Sequence, residues 1–402
     1  MASWPDGIAG VVLSEMVVNI MPLLRDKRAI ILFGSLDMGG AERQGLMLAR
    51  YLKAQEGVKV EVWGLGPGRG PVADRCEELA IPWKSVPLHW GIRRRYFHLF
   101  RLLIRFRMAS PDILISYTRV PNLASGLLWR LAGCQSMIWN QADEGLLLNR
   151  SFLHQLAVKL TPHIVVNSYA AFELFSKTFG VNSTRIRFIK NGASAGVARD
   201  TRESWRERLS AGNERLIATM LANFTVFKDH FTLLKAWRRL VEYYHKIGQP
   251  PPLLVLAGRL EETAASVIRE IEVSGLSDAV RVIGYTDDSF GLLQASDLCV
   301  FSSRSECYPN AILESMQAGL PVVATDITGI RDTVGADGAN WLVKPGDDEA
   351  FADAVIRLVG DSEIRMQLGE LMIQRAQSEF SEQVMCRHVA AVMASALSCE
   401  AS

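Results

Sequence analysis

Short apolar runs alternate with longer stretches of helical periodicity along most of the chain. The run at 28–36, RAIILFGSL, and the run at 58–66, VKVEVWGLG, are bounded by polar residues or glycine. Between them, residues 37–57 carry apolar side chains at helical spacing, and Gly39 and Gly40 open this stretch. An apolar run of this length is typical of a buried strand. The pattern therefore predicts a parallel sheet that starts near Lys27 and has helices on both faces.

The alternation stops once, in a region rich in glycine, alanine and charged residues. This region, RIRFIKNGASAGVARDTRESW, starts at Arg185, and we place a linker at 191–202 within it. The alternation then restarts with the apolar runs RLIATMLAN, PLLVLAG, VRVIGY and LCVFSS. The sequence thus predicts two doubly wound parallel-sheet domains that face each other across a cleft. We assign residues 1–26 to an amino-terminal extension, 27–190 to the first domain, 191–380 to the second, and 381–402 to a helix that packs back toward the first.

The composition is that of an ordinary globular protein of two domains. The 402 residues are 49% hydrophobic and 22% charged, and the formal net charge of +1 gives no general attraction to nucleic acid. Six cysteines are scattered with no Cys-x-x-Cys spacing, which favours free thiols in a reducing, cytoplasmic compartment and no zinc site. The apolar stretch Gly7–Leu24 is interrupted by Glu15 and Asn19, so we do not predict a transmembrane helix. An interfacial helix and a poorly ordered tail added by an upstream start both stay open for it.

The segment at 305–325, SECYPNAILESMQAGLPVVAT, combines two carboxylates with a predicted change from strand to helix. An apolar run precedes it, Pro309 and Asn310 break that run, and helical spacing follows, so that Glu306 falls in a loop and Glu314 in a helix. Such a loop opens onto the ligand crevice of an open α/β sheet, and the start of the helix suits a phosphate. Two carboxylates beside it suit a hydroxyl-rich ligand. Taken alone, the pair is more typical of an ordinary helix residue and a solvated loop carboxylate.

Several short motifs occur in an informative order. They are GSLDMGGAERQGLMLARYL, HIVVNS, IKNG, ANFTVFKDHFTLLKAW, LLVLAGR, the segment around Glu306, and ANWLVKPGD. In this order they resemble the retaining glycosyltransferases of family four, also called group 1, from about Arg28 to the last helix. The resemblance implies the GT-B fold of two Rossmann-like domains. It also implies an enzyme that transfers a hexosyl or N-acetylhexosaminyl group from a nucleotide-sugar donor to a glycan or lipid-linked saccharide acceptor, with retention, in cell-surface polysaccharide or glycolipid biosynthesis.

The resemblance implies roles for individual residues. Glu306 matches the glutamate that meets the transferred sugar, where a carboxylate stabilises positive charge as the glycosidic bond breaks. Lys228 matches the lysine that neutralises the donor pyrophosphate, and we count both residues as catalytic. Further donor contacts are expected from the ribose-binding carboxylate of Glu314, the backbone at Tyr308 and Asn310, the side chains of Asn223 and Arg259, and the glycine loop at Gly39 and Gly40.

Three positions depart from the family pattern. The arginine that pairs with the lysine is replaced by Asn223, so that Arg259, another group or the helix dipole has to supply the missing positive charge. The acidic motif reads Glu306-Cys307-Tyr308 in place of Glu-Gly-Phe, which predicts a slightly reshaped hexose pocket. The histidine of the amino-terminal domain is replaced by Tyr117. We take Tyr117, Asn140 and Asp143, expected in loops at strand ends, as acceptor-side candidates.

The mechanism expected from the resemblance is a front-face displacement in which the departing phosphate takes the acceptor proton. Basic groups and helix ends serve the diphosphate in this fold, and the sequence has no Asp-x-Asp motif, so we expect neither a metal ion nor another cofactor. A catalytically silent GT-B module that binds a glycan or a partner enzyme is the alternative of a different class, and Asn223 and Tyr117 keep it open. An epimerase or a glycan phosphorylase lacks this two-glutamate context. No Gly-x-Gly-x-x-Gly follows a strand, as a dehydrogenase would require.

The stretch Gly91–Met108 is the most basic part of the chain. On a helix, Arg94, His98, Arg101 and Arg105 form one stripe, and most of the other positions are aromatic or aliphatic. Such a helix can bind an anionic membrane surface and bring the enzyme to a lipid-linked acceptor. It can equally be an ordinary helix that packs on the sheet while its arginines stay in water. We therefore expect a cytoplasmic protein, with peripheral attachment to the cytoplasmic face of the membrane through Arg94, Arg101 and Arg105 as an open alternative.

Overall fold

The structure is a computed structural model, and it describes residues 21–88, 95–141, 148, 151–193, 196–306 and 309–398. Within these ranges the chain forms two compact units. The amino-terminal unit runs to Gly192 and includes the segment from Glu382 on, and the carboxy-terminal unit is Ala193–Ser381. Each unit has its own parallel sheet, which confirms the predicted fold class of two Rossmann-like domains. The expected amino-terminal extension lies almost wholly outside the described residues.

The amino-terminal unit contains a seven-stranded sheet in the order β3-β2-β1-β4-β5-β6-β7, with every neighbouring pair parallel. Its strands are β1 (Arg28–Phe33), β2 (Lys59–Gly64), β3 (Trp83–Ser85), β4 (Ile113–Tyr117), β5 (Ser136–Gln141), β6 (His163–Val166) and β7 (Ile186–Phe188). Its helices are α1 (Met21–Leu24), α2 (Gly40–Gln55), α3 (Pro71–Glu78), α4 (Arg95–Ala109), α5 (Arg119–Ala132), α6 (Phe152–Leu160) and α7 (Tyr169–Glu173), followed by the π-helical turn Leu174–Thr178 and the 3-10 turn Ser183–Arg185.

The carboxy-terminal unit contains a six-stranded sheet in the order β10-β9-β8-β11-β12-β13, again parallel throughout. Its strands are β8 (Ile217–Leu221), β9 (Leu253–Ala257), β10 (Val280–Gly284), β11 (Leu298–Phe301), β12 (Val322–Thr325) and β13 (Leu342–Val343). Its helices are α8 (Arg202–Arg208), α9 (His230–Lys246), α10 (Ala264–Val273), α11 (Ser289–Ala295), α12 (Asn310–Gln317), α13 (Thr328–Gly338), α14 (Asp348–Gly360) and α15 (Ser362–Glu379), with 3-10 turns at Val226–Lys228 and Ala339–Trp341.

The last helix, α16 (Glu382–Ser398), belongs to the amino-terminal unit. Its buried residues Cys386, Ala390 and Met393 join the apolar cluster formed by α2 and one face of the sheet. Arg50 of α2 holds the start of α16, because its guanidinium donates to both carboxylate oxygens of Glu382 at 2.7 Å. The final helical stretch of the sequence is therefore two helices that belong to different units.

The strand order reverses once in each sheet, and the reversal fixes where a ligand can bind. Successive strands turn away from each other between β1 and β4 in the amino-terminal unit, and between β8 and β11 in the carboxy-terminal unit. In open parallel sheets, ligands bind outside the carboxyl ends of the strands at such a switch point. The topology therefore predicts a ligand site at the loops that follow β8 and β11 in the carboxy-terminal unit.

Candidate active site

Two loops of the carboxy-terminal unit carry the residues predicted to be catalytic. Lys228 is the last residue of the 3-10 turn after β8. Glu306 lies in the loop after β11, and a loop is where the sequence predicted it. Because β8 and β11 are neighbours, both loops leave the sheet at its switch point. The topology thus brings together two residues that are far apart in the sequence.

The side chains of Lys228 and Glu306 contact each other directly. The Lys228 ammonium donates to Oε1 of Glu306, and the hydroxyl of Ser303 donates to the same oxygen at 2.9 Å. The two side chains are only 23% and 13% exposed, so their attraction is screened less than that of a surface pair. The ammonium also lies 5.4 Å from the centroid of the Phe301 ring. The arrangement fixes one positive and one negative charge at the same point of the crevice.

The segment that carries Lys228 is held by the loop after β11. The Phe227 carbonyl accepts from the Arg304 amide at 2.8 Å, and the hydroxyl of Ser302 lies 3.0 Å from the Lys228 carbonyl oxygen and 3.1 Å from that of Asp229. Asp229 is buried and has a left-handed backbone, with φ of 48°, which a non-glycine residue rarely adopts. A strained residue of this kind persists only where its surroundings hold it, and it is common at functional sites.

Helix α12 presents the second predicted glutamate. Glu314 and Asn310 are four residues apart, so they share one helical face, and both are half-buried. Ile312, Leu313 and Met316 occupy the buried side of the helix. The N-cap residue, Pro309, makes no side-chain capping bond in the described part of the chain, which leaves the first turn dependent on other acceptors. Tyr308 and Cys307 lie outside the described residues.

Asn223 and Arg259 lie next to each other at the carboxyl ends of β8 and β9. The Asn223 side chain accepts from the Arg259 amide and donates to Glu261, both at 3.1 Å. The two strands approach so closely here that a Cβ at Gly258 would lie 2.1 Å from the Ala222 carbonyl oxygen. The Asn223 side chain thus joins two loops, and both Asn223 and Arg259 are exposed.

His230, at the first position of α9, was missed by the sequence analysis. Its ring is 2% exposed and stacks on Phe224, with centroids 4.5 Å apart and an interplanar angle of 4°. Neither ring nitrogen has a hydrogen-bond partner among the described residues. Burial, and secondarily the charge of Lys228, lower the pKa of His230 to about 4, so the ring is neutral at physiological pH. A histidine on a mostly apolar helical face has no distinctive sequence signal, which explains the omission.

The remaining predicted residues belong to the amino-terminal unit. Gly39 is the extended N-cap of α2, and Gly40 is its first residue, so the glycine pair does open the first long helix. We predicted that Tyr117 and Asn140 lie in loops, and this prediction was wrong. The structure places them in β4 and β5, where both are buried. Polar residues at the end of an apolar run resemble the start of a loop, although both strands are buried to their ends. Asp143 lies outside the described residues.

Tyr117 and Asn140 do line a common cavity at the carboxyl ends of the strands. Burial raises the pKa of Tyr117 well above its usual value of 10, so its hydroxyl is neutral. Most of the polar side chains around the cavity are amides, which can both donate and accept hydrogen bonds. The polar lining consists of Gln44, Tyr117, Asn140, Gln141, Asn167, Lys190 and Asn191.

Helix α4 places basic and apolar side chains on the surface. His98, Arg101 and Arg105 line a cavity of about 230 Å³ with Val86, Pro87 and Leu88. The same helix exposes large apolar side chains; they are Tyr96, Phe97, Phe100, Ile104 and Met108. Arg94 lies outside the described residues. Across the described ranges, no helix has the length and apolar character needed to cross a membrane, and no group of three or more His, Cys, Asp or Glu residues could hold a metal ion.

Known proteins resemble the chain in sequence over much of its length. A model of Glycosyltransferase Family 4 matches residues 38–195, and a model of Glycosyl transferases group 1 matches residues 201–375. The lipopolysaccharide core biosynthesis glycosyltransferase LpsE of Rhizobium meliloti is 33% identical over 201 residues, which is 49% of this chain and 54% of LpsE. The D-inositol 3-phosphate glycosyltransferase of Corynebacterium urealyticum is 26% identical over 263 residues, 61% of this chain and 60% of that protein. The chain thus spans less than two thirds of the length of these curated relatives.

Solved structures resemble it over nearly the whole chain, at identities that show the fold alone. HepE of Anabaena, in complex with UDP-glucose, has a TM-score of 0.77 and 18% identity, and covers 92% of this chain and 99% of its own. A glycosyltransferase of Rickettsia africae has a TM-score of 0.79 and 17% identity, with 93% and 99% covered. The two sequence matches follow each other along the chain and fall in the two units in turn. The chain therefore belongs to the family 4, or group 1, glycosyltransferases.

Proposed function

We propose that the protein transfers a sugar from a nucleotide-sugar donor to a glycan or lipid-linked saccharide acceptor, with retention of configuration. The observation that carries the proposal is the contact between Lys228 and Glu306 at the switch point of β8 and β11. A glycosyl diphosphate presents a departing anion next to a sugar carbon that becomes positive. An ammonium and a carboxylate at one point are complementary to those two developing charges.

Each residue has a distinct part in the proposed reaction. Lys228 faces the diphosphate and stabilises it as it leaves, and Glu306 orients the sugar hydroxyls and stabilises oxocarbenium character. Glu314 accepts from the ribose hydroxyls, and the first turn of α12 gives its amides to the phosphate. Asp229, the other carboxylate of these loops, is 4% exposed and bonded to Arg304 and Thr232, so it is poorly placed to attack the sugar, and we assign Glu306 to the sugar hydroxyls. This supports a front-face displacement in which the departing phosphate takes the acceptor proton.

The names of the relatives support a place in cell-surface polysaccharide or glycolipid biosynthesis. LpsE is described as a lipopolysaccharide core biosynthesis enzyme, and CapM of Staphylococcus aureus, 28% identical over 105 residues, as a capsular polysaccharide one. The HepE complexes contain UDP or UDP-glucose. We therefore propose a hexosyl or N-acetylhexosaminyl donor and would test UDP-sugars first.

The test is donor binding followed by turnover. Purified protein is heated with UDP-, GDP- and ADP-sugars, because a ligand that binds only the folded state raises the melting temperature. One nucleotide class should raise it, and Glu314→Gln should weaken the effect, whereas Glu242→Gln, exposed on α9, should not. Glu306→Gln should bind the donor yet lower kcat by about 10²- to 10³-fold, whereas Lys228→Met should lower kcat and also weaken donor binding, because it removes a charge that faces the diphosphate. The anomeric configuration of the product, read by NMR, tests retention. Donor binding without turnover on any saccharide would favour the silent binding module instead.

We also propose that α4 binds the anionic cytoplasmic face of the membrane. Phe97 and Phe100 are 61% and 60% exposed, and Arg101 and Arg105 are exposed on the same helix. Exposed aromatic groups beside arginines favour an anionic interface. The protein should sediment together with vesicles of phosphatidylcholine and phosphatidylglycerol, and a smaller fraction of it should do so at high salt. Phe97→Ser with Phe100→Ser should abolish this, whereas Val273→Ser, at an exposed residue of the other unit, should not. Equal sedimentation of all variants would contradict the proposal.

A further inference from the structure

We propose that Arg304 supplies the second positive charge on the donor diphosphate, the charge that Asn223 lacks. The inference rests on the proposed function and assigns a residue that neither motif pattern nor spacing singled out. Arg304 lies in the loop after β11, two residues before Glu306, at the switch point itself. It is therefore on one of the two loops between which the diphosphate would bind.

Two hydrogen bonds place Arg304 beside Lys228. Its amide donates to the Phe227 carbonyl at 2.8 Å, and its Nε donates to Oδ2 of Asp229, also at 2.8 Å. Phe227 and Asp229 are the residues immediately before and after Lys228. Arg304 thus contacts both chain neighbours of the catalytic lysine, one through its backbone amide and the other through its guanidinium.

The guanidinium has groups left for a ligand. Its Nε bonds to Asp229, whose side chain is 4% exposed, whereas the Arg304 side chain is 62% exposed. Across the part of the chain that the structure describes, the contact through Nε is the one hydrogen bond made by this side chain. The two terminal nitrogens are therefore on the open side of a guanidinium that is fixed at its inner edge. Arginine matches phosphate oxygens through paired N–H groups, so a fixed guanidinium is well suited to a diphosphate.

The other candidates for the second charge are placed less well. Asn223 is uncharged, and its side chain is used between the Arg259 amide and Glu261. Arg259 is on the loop after β9, one strand away from the switch point, where its backbone pairs with Asn223 and Phe224. Arg304 shares a loop with Glu306 and contacts the residues on either side of Lys228.

The local charge balance also requires a second cation. Lys228 and Arg304 are balanced by Glu306 and Asp229. A nucleotide-sugar adds a diphosphate dianion to this group. If Arg304 were neutral, Lys228 would be the cation left to face the carboxylates of Glu306 and Asp229 together with the diphosphate. The negative charges of the carboxylates and the diphosphate would then repel each other. Loss of Arg304 should therefore weaken binding of the diphosphate and leave the binding of the nucleoside unchanged.

The experiment compares a nucleoside diphosphate with its nucleoside. UDP and uridine, GDP and guanosine, and ADP and adenosine are titrated by calorimetry or NMR into wild type, Arg304→Gln and Arg304→Lys. Arg331→Gln, an exposed arginine of α13 paired with Asp326, is the matched control. For the pair that binds wild type, Arg304→Gln should raise the Kd of the diphosphate about 10- to 100-fold, as expected for a hydrogen bond to a charged group. The Kd of the nucleoside should not change, Arg304→Lys should fall between, and the control should match wild type.

Three outcomes would overturn the inference in distinguishable ways. If Arg304→Gln leaves both Kd values at their wild-type levels, Arg304 does not bind the diphosphate, and the proposed function stands. If both Kd values rise together and the melting temperature falls, Arg304 only joins the two loops. If wild type binds no diphosphate at all, the proposed function fails, and this inference fails with it.

Discussion

His230 is expected to make the stability of the protein fall between pH 6.5 and about pH 4. The ring is buried against Phe224 with both nitrogens unpaired among the described residues, and its pKa is lowered from 6.5 to about 4. Burial is the main cause, the charge of Lys228 adds to it, and that of Asp229 opposes it. Protonation would place an unpaired imidazolium inside the unit, which is costly.

The direction and size of the effect follow from the two pKa values. As the pH falls below 6.5, the unfolded chain binds a proton at this position before the folded chain does. The contribution of neutral His230 to the free energy of unfolding is therefore fully present above pH 6.5. It is lost progressively as the pH falls, until the folded state also binds the proton near pH 4. A difference from 6.5 to about 4 corresponds to about 3 kcal/mol at most.

The substitution His230→Phe isolates this contribution, because phenylalanine preserves the stack on Phe224 and does not titrate. Urea unfolding followed by tryptophan fluorescence is measured from about pH 7.5 to about pH 4.5. The variant should equal or exceed wild type at the upper pH, since it removes two unpaired nitrogens. Relative to wild type it should gain about 2–3 kcal/mol at the lower pH. His163, whose pKa burial also lowers to about 4, contributes equally to both proteins and cancels.

The control is His245→Phe, at an exposed residue near the end of the same helix. It should follow the wild-type pH dependence throughout. Parallel loss of stability in wild type and His230→Phe would refute the reasoning, because it would show that His230 is paired or protonated in the folded state.

Three further predictions concern the support of the site and its charges. Gly258→Ala should lower the free energy of unfolding, measured in urea, by at least about 3 kcal/mol, because the new Cβ would lie 2.1 Å from the Ala222 carbonyl oxygen. The control Gly275→Ala should lower it by about 1–2 kcal/mol, because Gly275 has a φ of 67° and open space around it. Equal losses in the two variants would contradict the close approach at Gly258. Asp288→Ala should cost about 3 kcal/mol, because it removes the acceptor of Trp205 Nε1 at 2.7 Å and of several backbone amides, and Asp288→Asn should cost less. Because basic side chains are assigned to the diphosphate, a chelator should leave turnover within about twofold, and a sharp loss would show that a metal ion takes part.

Much of the fold could be predicted because its signal is local. Each buried strand is a short apolar run and each helix an apolar stripe, so their alternation indicates a parallel sheet with no knowledge of distant contacts. The same local signals placed Glu306 in a loop and Glu314 in a helix, as the structure has them. The positions of Tyr117 and Asn140 were predicted wrongly, because a polar residue at the end of a strand and one at the start of a loop have the same local pattern.

The contacts of the candidate site could not be predicted from local signals. Nothing near Lys228 in the sequence indicates that Ser302 and Arg304, more than seventy positions away, hold its loop. Those contacts depend on the order of strands, and alternation predicts that strands are parallel without predicting which are neighbours. The left-handed backbone of Asp229 was also not predicted, because aspartate adopts this conformation only occasionally and most aspartates in a chain do not.

The two units have the same strand order but different side chains at their switch points. Each sheet has a switch point, so each unit can bind a ligand at the carboxyl ends of its strands. In the carboxy-terminal unit the loops at that point carry Lys228, Arg304 and Glu306, which suit a charged phosphate and a sugar that becomes positive. In the amino-terminal unit the corresponding loop begins α2 with a glycine pair, and the nearby cavity is lined mainly by amides. Amides recognise hydroxyl groups with no preference for charge. The charged side chains of the carboxy-terminal unit thus suit the proposed donor, and the amide side chains around the amino-terminal cavity, which Lys190 also lines, suit hydroxyl groups of the proposed acceptor.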